Sequence, residues 1–158
     1  FWRGIEYEIL PFCRQKSVGV LCYSPLAHGL LTGKFKAADD VPEERARIRL
    51  FSRKRPFTRH GEEGCEKEVF EALASIRKIC EDGKLPMGPT AIAWVLAQPG
   101  VTSVIVGARN ARQVRENLKA LDIRLTQDIQ QELGRATNGL KERIGVNVDP
   151  WQSDTRIR

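Results

Sequence analysis

Val18-Gly19-Val20-Leu21-Cys22-Tyr23, closed by Ser24-Pro25, is a short apolar run with no polar alternation. That pattern reads as a strand buried on both faces of a parallel sheet. A second run of the same kind, Val101 to Val106, passes through Gly107-Ala108-Arg109 into a helical pattern. Between the two lie segments of helical periodicity. Strands alternating with helices argue for an α/β fold with parallel strands.

Working outward, Ile5, Ile9, Leu10, Phe12 and Cys13 follow helical spacing up to Gln15, with Pro11 kinking the helix or opening its main part. Val69, Phe70, Leu73, Ile76 and Cys80 mark an amphipathic helix from Glu66 to Cys80. Pro89 to Ala97 reads as a well-buried helix with proline in its first turn, stopped by Gln98-Pro99-Gly100. Asn110 is placed to cap a helix through Val114, Leu118 and Leu121, with Gln113 three residues on as in a capping box. Thr126 opens a further helix that carries Ile129 and Leu133 and stops at Gly139.

The remaining segments are less regular. Phe35 to Gly64 is long, charge-rich and broken by Pro42 and Pro56, which suits a functional loop or lid better than a domain linker. Its charge also suits simple solvation. The division expected is a body at 1–139, with the charged loop at 35–64, and a tail at 140–158 whose Trp151 sits among polar residues and which reads as a frayed terminus.

Composition sets the outer limits. With 158 residues, 41% of them hydrophobic, the chain has material for a core, which argues against disorder. A formal charge of +6 permits an anionic ligand without demanding one. The longest apolar stretch, Thr90 to Ala97, falls far short of the roughly 20 residues of a membrane span. Phe1-Trp2-Arg3-Gly4 has neither the initiating methionine nor the character of a signal peptide, so a missing natural start is expected. Cys13, Cys22, Cys65 and Cys80 form no Cys-x-x-Cys pair, and only His28 and His60 could join them, so no metal site is expected. Cys13 and Cys22 read as small buried hydrophobes in a reducing, cytoplasmic setting.

Chemistry is expected beyond the two strand ends, where ligands of α/β folds gather. After the first strand come Tyr23-Ser24-Pro25-Leu26 and Gly29-Leu30-Leu31-Thr32-Gly33-Lys34. Tyr23 can stack on a flat heterocycle, while Ser24, the glycine backbone and Lys34 can meet phosphate oxygens. The alternative is a tight turn with Tyr23 closing the core. After the second strand, Gly107 leads to a helix N-terminus with Arg109 and Arg112 in its first turn, where the dipole disfavours positive charge. A bound anion would account for that conflict. Gln113, Glu116 and Asn117 share one helical face and offer donors and acceptors to a heterocycle, or else they are a solvated polar face. No P-loop or Gly-x-Gly-x-x-Gly fingerprint is present.

In this order, the motifs from Tyr23 to Lys34, Ala91-Ile92-Ala93-Trp94-Val95-Leu96, and Ile105-Val106-Gly107-Ala108-Arg109 with Gln113, Glu116 and Asn117 resemble the aldo-keto reductase family over about residues 1–138. The resemblance implies the carboxyl-terminal part of a (β/α)8 barrel, Val18 to Tyr23 being its seventh strand and Val101 to Val106 its eighth. It implies extended NADPH at the strand ends. Tyr23 would stack on the nicotinamide, and Ser24, Pro25, Leu26, Gly29, Leu31 and Lys34 would line the path of the pyrophosphate. Gly107 and Arg109 would meet the 2′-phosphate, and Gln113, Glu116 and Asn117 would surround the adenine and its ribose. The family's phosphate clamp also uses an arginine in the loop after Lys34; Arg47 is the choice, with Arg45 and Arg49 close behind.

The family protonates a carbonyl through a tyrosine assisted by lysine, aspartate and histidine as hydride arrives. Tyr7, Tyr23, His28 and His60 match none of these positions, so the tetrad is expected to lie outside this chain and the chain alone to be inactive. A barrel needs about 250 residues. The resemblance therefore implies a missing amino-terminal half or self-association, with sheet edges and core surface left exposed. The implied partner is a small carbonyl substrate, with neither nucleic acid nor membrane. A nucleotide-sensing regulatory subunit with the same fold is the alternative function. A basic nucleic-acid-binding domain is a third class, against which the mixed signs from Arg53 to Lys67 argue.

Overall fold

Gly19 has no side chain at the point where Thr102 approaches: a Cβ there would lie 2.7 Å from the Thr102 hydroxyl. The hydroxyl instead accepts the Val20 N–H at 3.2 Å. Strand β1 (Val20–Tyr23) pairs in parallel with β2 (Val101–Ile105), with an irregularity between Val20 and Leu21. Tyr23 ends opposite Ile105. In the computed structural model, which describes residues 1–151, these two strands form the sheet, accompanied by helices α1 (Ile9–Gln15), α2 (Glu66–Asp82), α3 (Met87–Leu96), α4 (Ala111–Leu118), α5 (Gln127–Ala136) and α6 (Asn138–Ile144). The α/β reading with parallel strands holds.

Burial of the strands on both faces does not. Val20, Cys22 and Val104 are half-buried, whereas Leu21, Tyr23 and Ile105 are 59%, 60% and 58% exposed. Alternation puts these three on one face of the sheet, with no layer over them among the described residues. The other face packs through Val104 and Val106 on Ile92 and Ala93 of α3 and on Ala120 in the short turn Lys119–Leu121.

The principal core lies away from the sheet. Helix α2 turns Val69, Ala72, Leu73, Ile76 and Cys80 inward and packs against α3, α5 and α6, meeting Leu133 and Leu140. Beside Leu30 and Leu31, much of the rest of this core comes from the stretch 35–64, expected to be a functional loop or lid or simply solvated. Phe35, Val41, Ala46, Ile48, Leu50 and Phe51 are all buried in it. Their apolar side chains are spaced by neither helix nor strand, because the backbone turns repeatedly.

Charge holds these turns in place. Arg55 forks onto Glu66 at 2.9 and 2.8 Å, and Arg49 binds Glu62 at 2.8 Å. Gly64 closes the stretch with φ +76°, at a point where a Cβ would fall within 2.5 Å of the Phe51 carbonyl oxygen. Only glycine fits that backbone.

Three further expectations change. Cys13 and Cys22 are partly exposed, while Cys65 and Cys80 are buried. Gly139 does not stop a helix; Thr137 separates α5 from α6, and Gly139 lies within α6, which ends at Gly145 with φ +70°. Residues 140–151 are packed rather than frayed, with Leu140 in the core, and 152–158 lie outside the described residues. No helix among the described residues is long and apolar enough to cross a membrane.

The first residues are tied to α5 and α6 by one network. Arg3 donates to both oxygens of Glu6 at 2.6 and 2.9 Å, and to the Gly134 carbonyl, Thr137 Oγ1 and Asn138 Oδ1 at 2.9 to 3.0 Å. Lys141 reaches Glu6 at 3.0 Å. Burial alone would raise the Glu6 carboxyl, but the hydrogen bonds from Arg3 and Lys141 outweigh it and hold the group below its ordinary 4.5. With the folded-state pKa lowered, this contribution is complete above 4.5 and is lost as pH falls through the folded value. Glu6→Gln is expected to cost about 1–2 kcal/mol at pH 7 in urea unfolding, the gap narrowing as pH falls below the ordinary 4.5 and closing once it is below the lowered folded-state value. A gap that persists at low pH would assign the effect to shape rather than charge.

Candidate functional site

Parallel pairing sends both strands out at the same edge, so the loops after Tyr23 and Ile105 begin side by side. The first loop is unusual in its backbone. Ser24, Ala27 and His28 have φ of 53°, 45° and 57° without being glycine, and Gly29 and Gly33 follow at 95° and 77°. Left-handed conformation costs a non-glycine residue about 1 kcal/mol or more, and such residues gather at functional sites. The chain is anchored beneath by Pro25, Leu30 and Leu31, whose side chains are buried, and by half-buried Leu26. Pro25 and Leu31 therefore serve packing with their side chains.

Gly29 leaves room for two cations. Lys34 Nζ and Arg45 Nη1 lie 3.4 and 3.7 Å from the position a Gly29 Cβ would take. Arg109, from the loop after β2, is close enough to act on the same ammonium. Partial burial, then Arg45 and Arg109, push the Lys34 pKa below its ordinary value. None of the three cations has an ion-pair partner among the described residues. Arg77 fixes the chain around Lys34 by donating to the Gly33 and Phe35 carbonyls at 3.2 and 3.1 Å.

The three loop arginines weighed from sequence take different places. Arg45 joins Lys34. Arg47 is exposed and lies against the Trp151 ring, 5.4 Å from its centroid. Arg49 is 8% exposed, and its guanidinium is spent on Glu62 and on the carbonyls of Asn147 and Asp149. His28 is half-buried, and burial followed by Arg47 and Arg45 lowers its pKa, favouring the neutral ring at pH 7.

At the second loop, Gly107 has open space around it. Asn110 caps α4 by accepting the Gln113 N–H at 3.0 Å. Gln113 returns its Oε1 to the Arg109 N–H at 2.8 Å, one residue earlier than a capping box would have it. Asn117 donates to the Gly107 carbonyl at 3.4 Å. Gln113 and Asn117 thus brace the 107–109 turn, whereas Glu116 faces Lys119 at 2.9 Å.

A cavity of about 420 Å³ adjoins the first loop, lined by Trp2, Leu10, Cys22, Tyr23, Ser24, His28 and Trp94 among others. It is mainly apolar, and Lys34, Arg45 and Arg109 do not line it. Chemically, the two strand ends offer an exposed aromatic ring, a strained main chain and three converging cations. That set suits a ligand with an aromatic portion and phosphate groups.

The sequence profile of the Aldo/keto reductase family matches residues 2–136. The chain belongs to this family. It is 32% identical over 145 residues to the NADP(+) aldo-keto reductase yakc of Schizosaccharomyces pombe, covering 92% of this chain and 40% of that one. It is 35% identical to an NADH-specific methylglyoxal reductase of Escherichia coli, over 78% of this chain and 35% of that one. A probable voltage-gated potassium channel subunit beta of Arabidopsis thaliana is 32% identical over 75% of this chain and 34% of its own. Among solved structures, a glycerol dehydrogenase from Gluconobacter oxydans superposes with a TM-score of 0.67 at 26% identity, covering 94% of this chain and 42% of that one. The chain therefore spans 34–40% of the curated relatives named here. The resemblance read from the motifs is borne out, and the two parallel strands with their helices are part of an aldo-keto reductase barrel.

The convergence of cations is directly measurable. With Arg45→Gln, Lys34 loses a repelling neighbour and its ammonium is expected to titrate closer to its ordinary value, as followed by NMR of the lysine ε-methylene. An unmoved titration would show that Arg45 does not face Lys34.

Proposed function

We propose that the protein carrying these residues reduces aldehydes or ketones with NADPH, and that this chain supplies the cofactor cradle. The observation that carries the reading is the approach of Lys34 and Arg45 at Gly29, with Arg109 from the neighbouring loop acting on the Lys34 ammonium, in loops that leave the strand end of an exposed Tyr23 and without carboxylate partners among the described residues. Like charges are gathered only at a cost, which an anionic ligand offsets.

The residues fit an extended dinucleotide. The Tyr23 ring, on an apolar floor with Ile105, would stack on the nicotinamide; Ser24, Leu26 and the main chain of the left-handed loop would follow the pyrophosphate with Lys34 and Arg45, or Arg47. Gly107 and Arg109 would meet the 2′-phosphate, and Gln113, Glu116 and Asn117 the adenosine. The bound cofactor supplies hydride to the carbonyl carbon. A proton must then reach the carbonyl oxygen, and none of this chain's tyrosines is placed to give it. Tyr7 donates to the Lys141 carbonyl at 3.4 Å, and Tyr23 is assigned to stacking.

The similarity to a probable potassium channel subunit beta favours a second reading, a nucleotide-sensing subunit on the same fold. Turnover separates the two. The full-length protein is expected to oxidise NADPH when given an aldehyde or ketone, and residues 1–158 alone are expected to show none. Reduction by the 158-residue chain would place the proton donor within it. Cofactor choice is tested at Arg109, since one relative is named for NADP(+) and another for NADH. Arg109→Ala is expected to weaken NADPH about tenfold or more, the loss of one charge-assisted contact, and NADH much less. Equal losses would remove Arg109 from the 2′-phosphate.

A further inference from the structure

Arg49 stands beside the exposed Arg47 and Arg53 in the charged stretch yet is 8% exposed. Besides Glu62, it gathers a second piece of chain. Its Nη1 donates to the carbonyls of Asp149 at 2.9 Å and Asn147 at 3.4 Å, and its backbone N–H donates to the Pro150 carbonyl at 3.0 Å. The Trp2 ring lies 5.3 Å from the guanidinium, and its indole N–H donates to the same Asn147 carbonyl at 3.2 Å. Two side-chain turns curl the segment further: Asn147 Oδ1 accepts the Asp149 N–H at 3.0 Å, and Asp149 Oδ1 accepts the Trp151 N–H at 2.9 Å.

The curl delivers Trp151 to the cradle. Its ring lies 5.4 Å from the Arg47 guanidinium and meets His28 edge to face, at 5.5 Å and 86°. Both contacts are within the range of attractive ring geometry. His28 belongs to the left-handed loop and Arg47 to the segment that carries Arg45, so Trp151 bridges the two walls of the cationic site. Exposed arginines and loops in rare backbone conformations lose entropy when they bind, and a ring packed against them beforehand reduces that loss.

We propose that Arg49 and Trp151 are positioning residues for the nucleotide cradle, Arg49 seating the 147–150 main chain so that Trp151 backs Arg47 and His28. The proposal rests on the reading that the cradle binds a nicotinamide dinucleotide. Because the contact is to loop walls and not to the 2′-phosphate, its effect is shared by NADPH and NADH.

The test compares Trp151→Ala, Trp151→Phe and Arg49→Lys in the full-length protein, titrating NADPH and NADH by fluorescence. Trp151→Ala is expected to weaken both nucleotides by the same factor, roughly three- to tenfold, as for one ring-to-cation contact, and Trp151→Phe to recover most of it. Arg49→Lys keeps the charge but loses the fork, and is expected to match Trp151→Ala. Amides of residues 45–50 are expected to exchange faster in Trp151→Ala. Should Arg49→Lys fail to fold, the Trp151 pair carries the test alone. Wild-type affinity for both nucleotides in Trp151→Ala overturns the proposal, and leaves the cradle reading standing where Arg109→Ala still loses NADPH selectively. A loss confined to NADPH also overturns it, by pointing to direct contact with the 2′-phosphate. Failure of the wild-type protein to bind either nucleotide overturns the cradle and the positioning together.

Discussion

The parallel pairing of Tyr23 with Ile105 is the constraint on which the rest depends. Two strands running the same way cannot be joined by a tight turn, so the chain must travel from Ser24 to Gly100 before it returns. Most of the main core rides on that crossover, through the left-handed loop, the charged stretch and α2, and α5 and α6 complete it after β2 with Leu133 and Leu140. The pairing also sends both following loops out at one edge. Lys34 and Arg109, distant in sequence, therefore come within electrostatic reach of each other.

Bringing like charges together requires a backbone that will not relax away from them. The segment around Arg45 meets that requirement by facing two ways. Ala46, Ile48 and Leu50 are buried beneath it, while Arg45 and Arg47 lie outward. Shifting the backbone at Arg45 away from Lys34 would pull apolar side chains out of the core, at about 1.5–3 kcal/mol for each large one exposed. For Ile48 and Leu50 together that is about 3–6 kcal/mol, comparable to or larger than the repulsion between two partly solvated cations, on the order of 1–4 kcal/mol at contact distance. Packing thus holds the backbone that carries the cations in place.

The same two-way facing explains what could be read from sequence. The strands, the Asn110 and Thr126 caps and the amphipathic face of α2 were legible because each rests on local chemistry or a regular period. The stretch 35–64 has neither, so Phe35, Val41, Ile48, Leu50 and Phe51 were hidden among charges, and nothing in the order Arg45, Arg47, Arg49 says which faces what. Gly139 misled because a glycine after a periodic run looks like a helix stop; here Thr137, bonded to the carbonyls of Leu133 and Gly134, makes the break. The loop motifs of the site were legible as residue types, but the seating of Trp151 was not, since it depends on contacts more than a hundred residues apart, such as Trp2 with Asn147.

The exposure of Tyr23 bears on the two readings of its own strand end. A tyrosine that closes a core is buried with its hydroxyl satisfied, yet this ring is 60% exposed and shares its face with Leu21 and Ile105, each more than half exposed. Three large apolar side chains side by side on bare sheet form a surface that a soluble protein covers or uses. Covering by further barrel strands would account for Leu21, which sits deeper along β1. Tyr23 is the last residue of the strand, next to a loop in which Ser24, Ala27 and His28 are held at positive φ and whose Lys34, set against the Phe35 ring, has no ion-pair partner among the described residues. Strain, charge without ion-pair partners among the described residues and an uncovered ring at one edge have separate physical costs, and on the proposed reading a flat heterocycle carrying phosphates would offset all three at once.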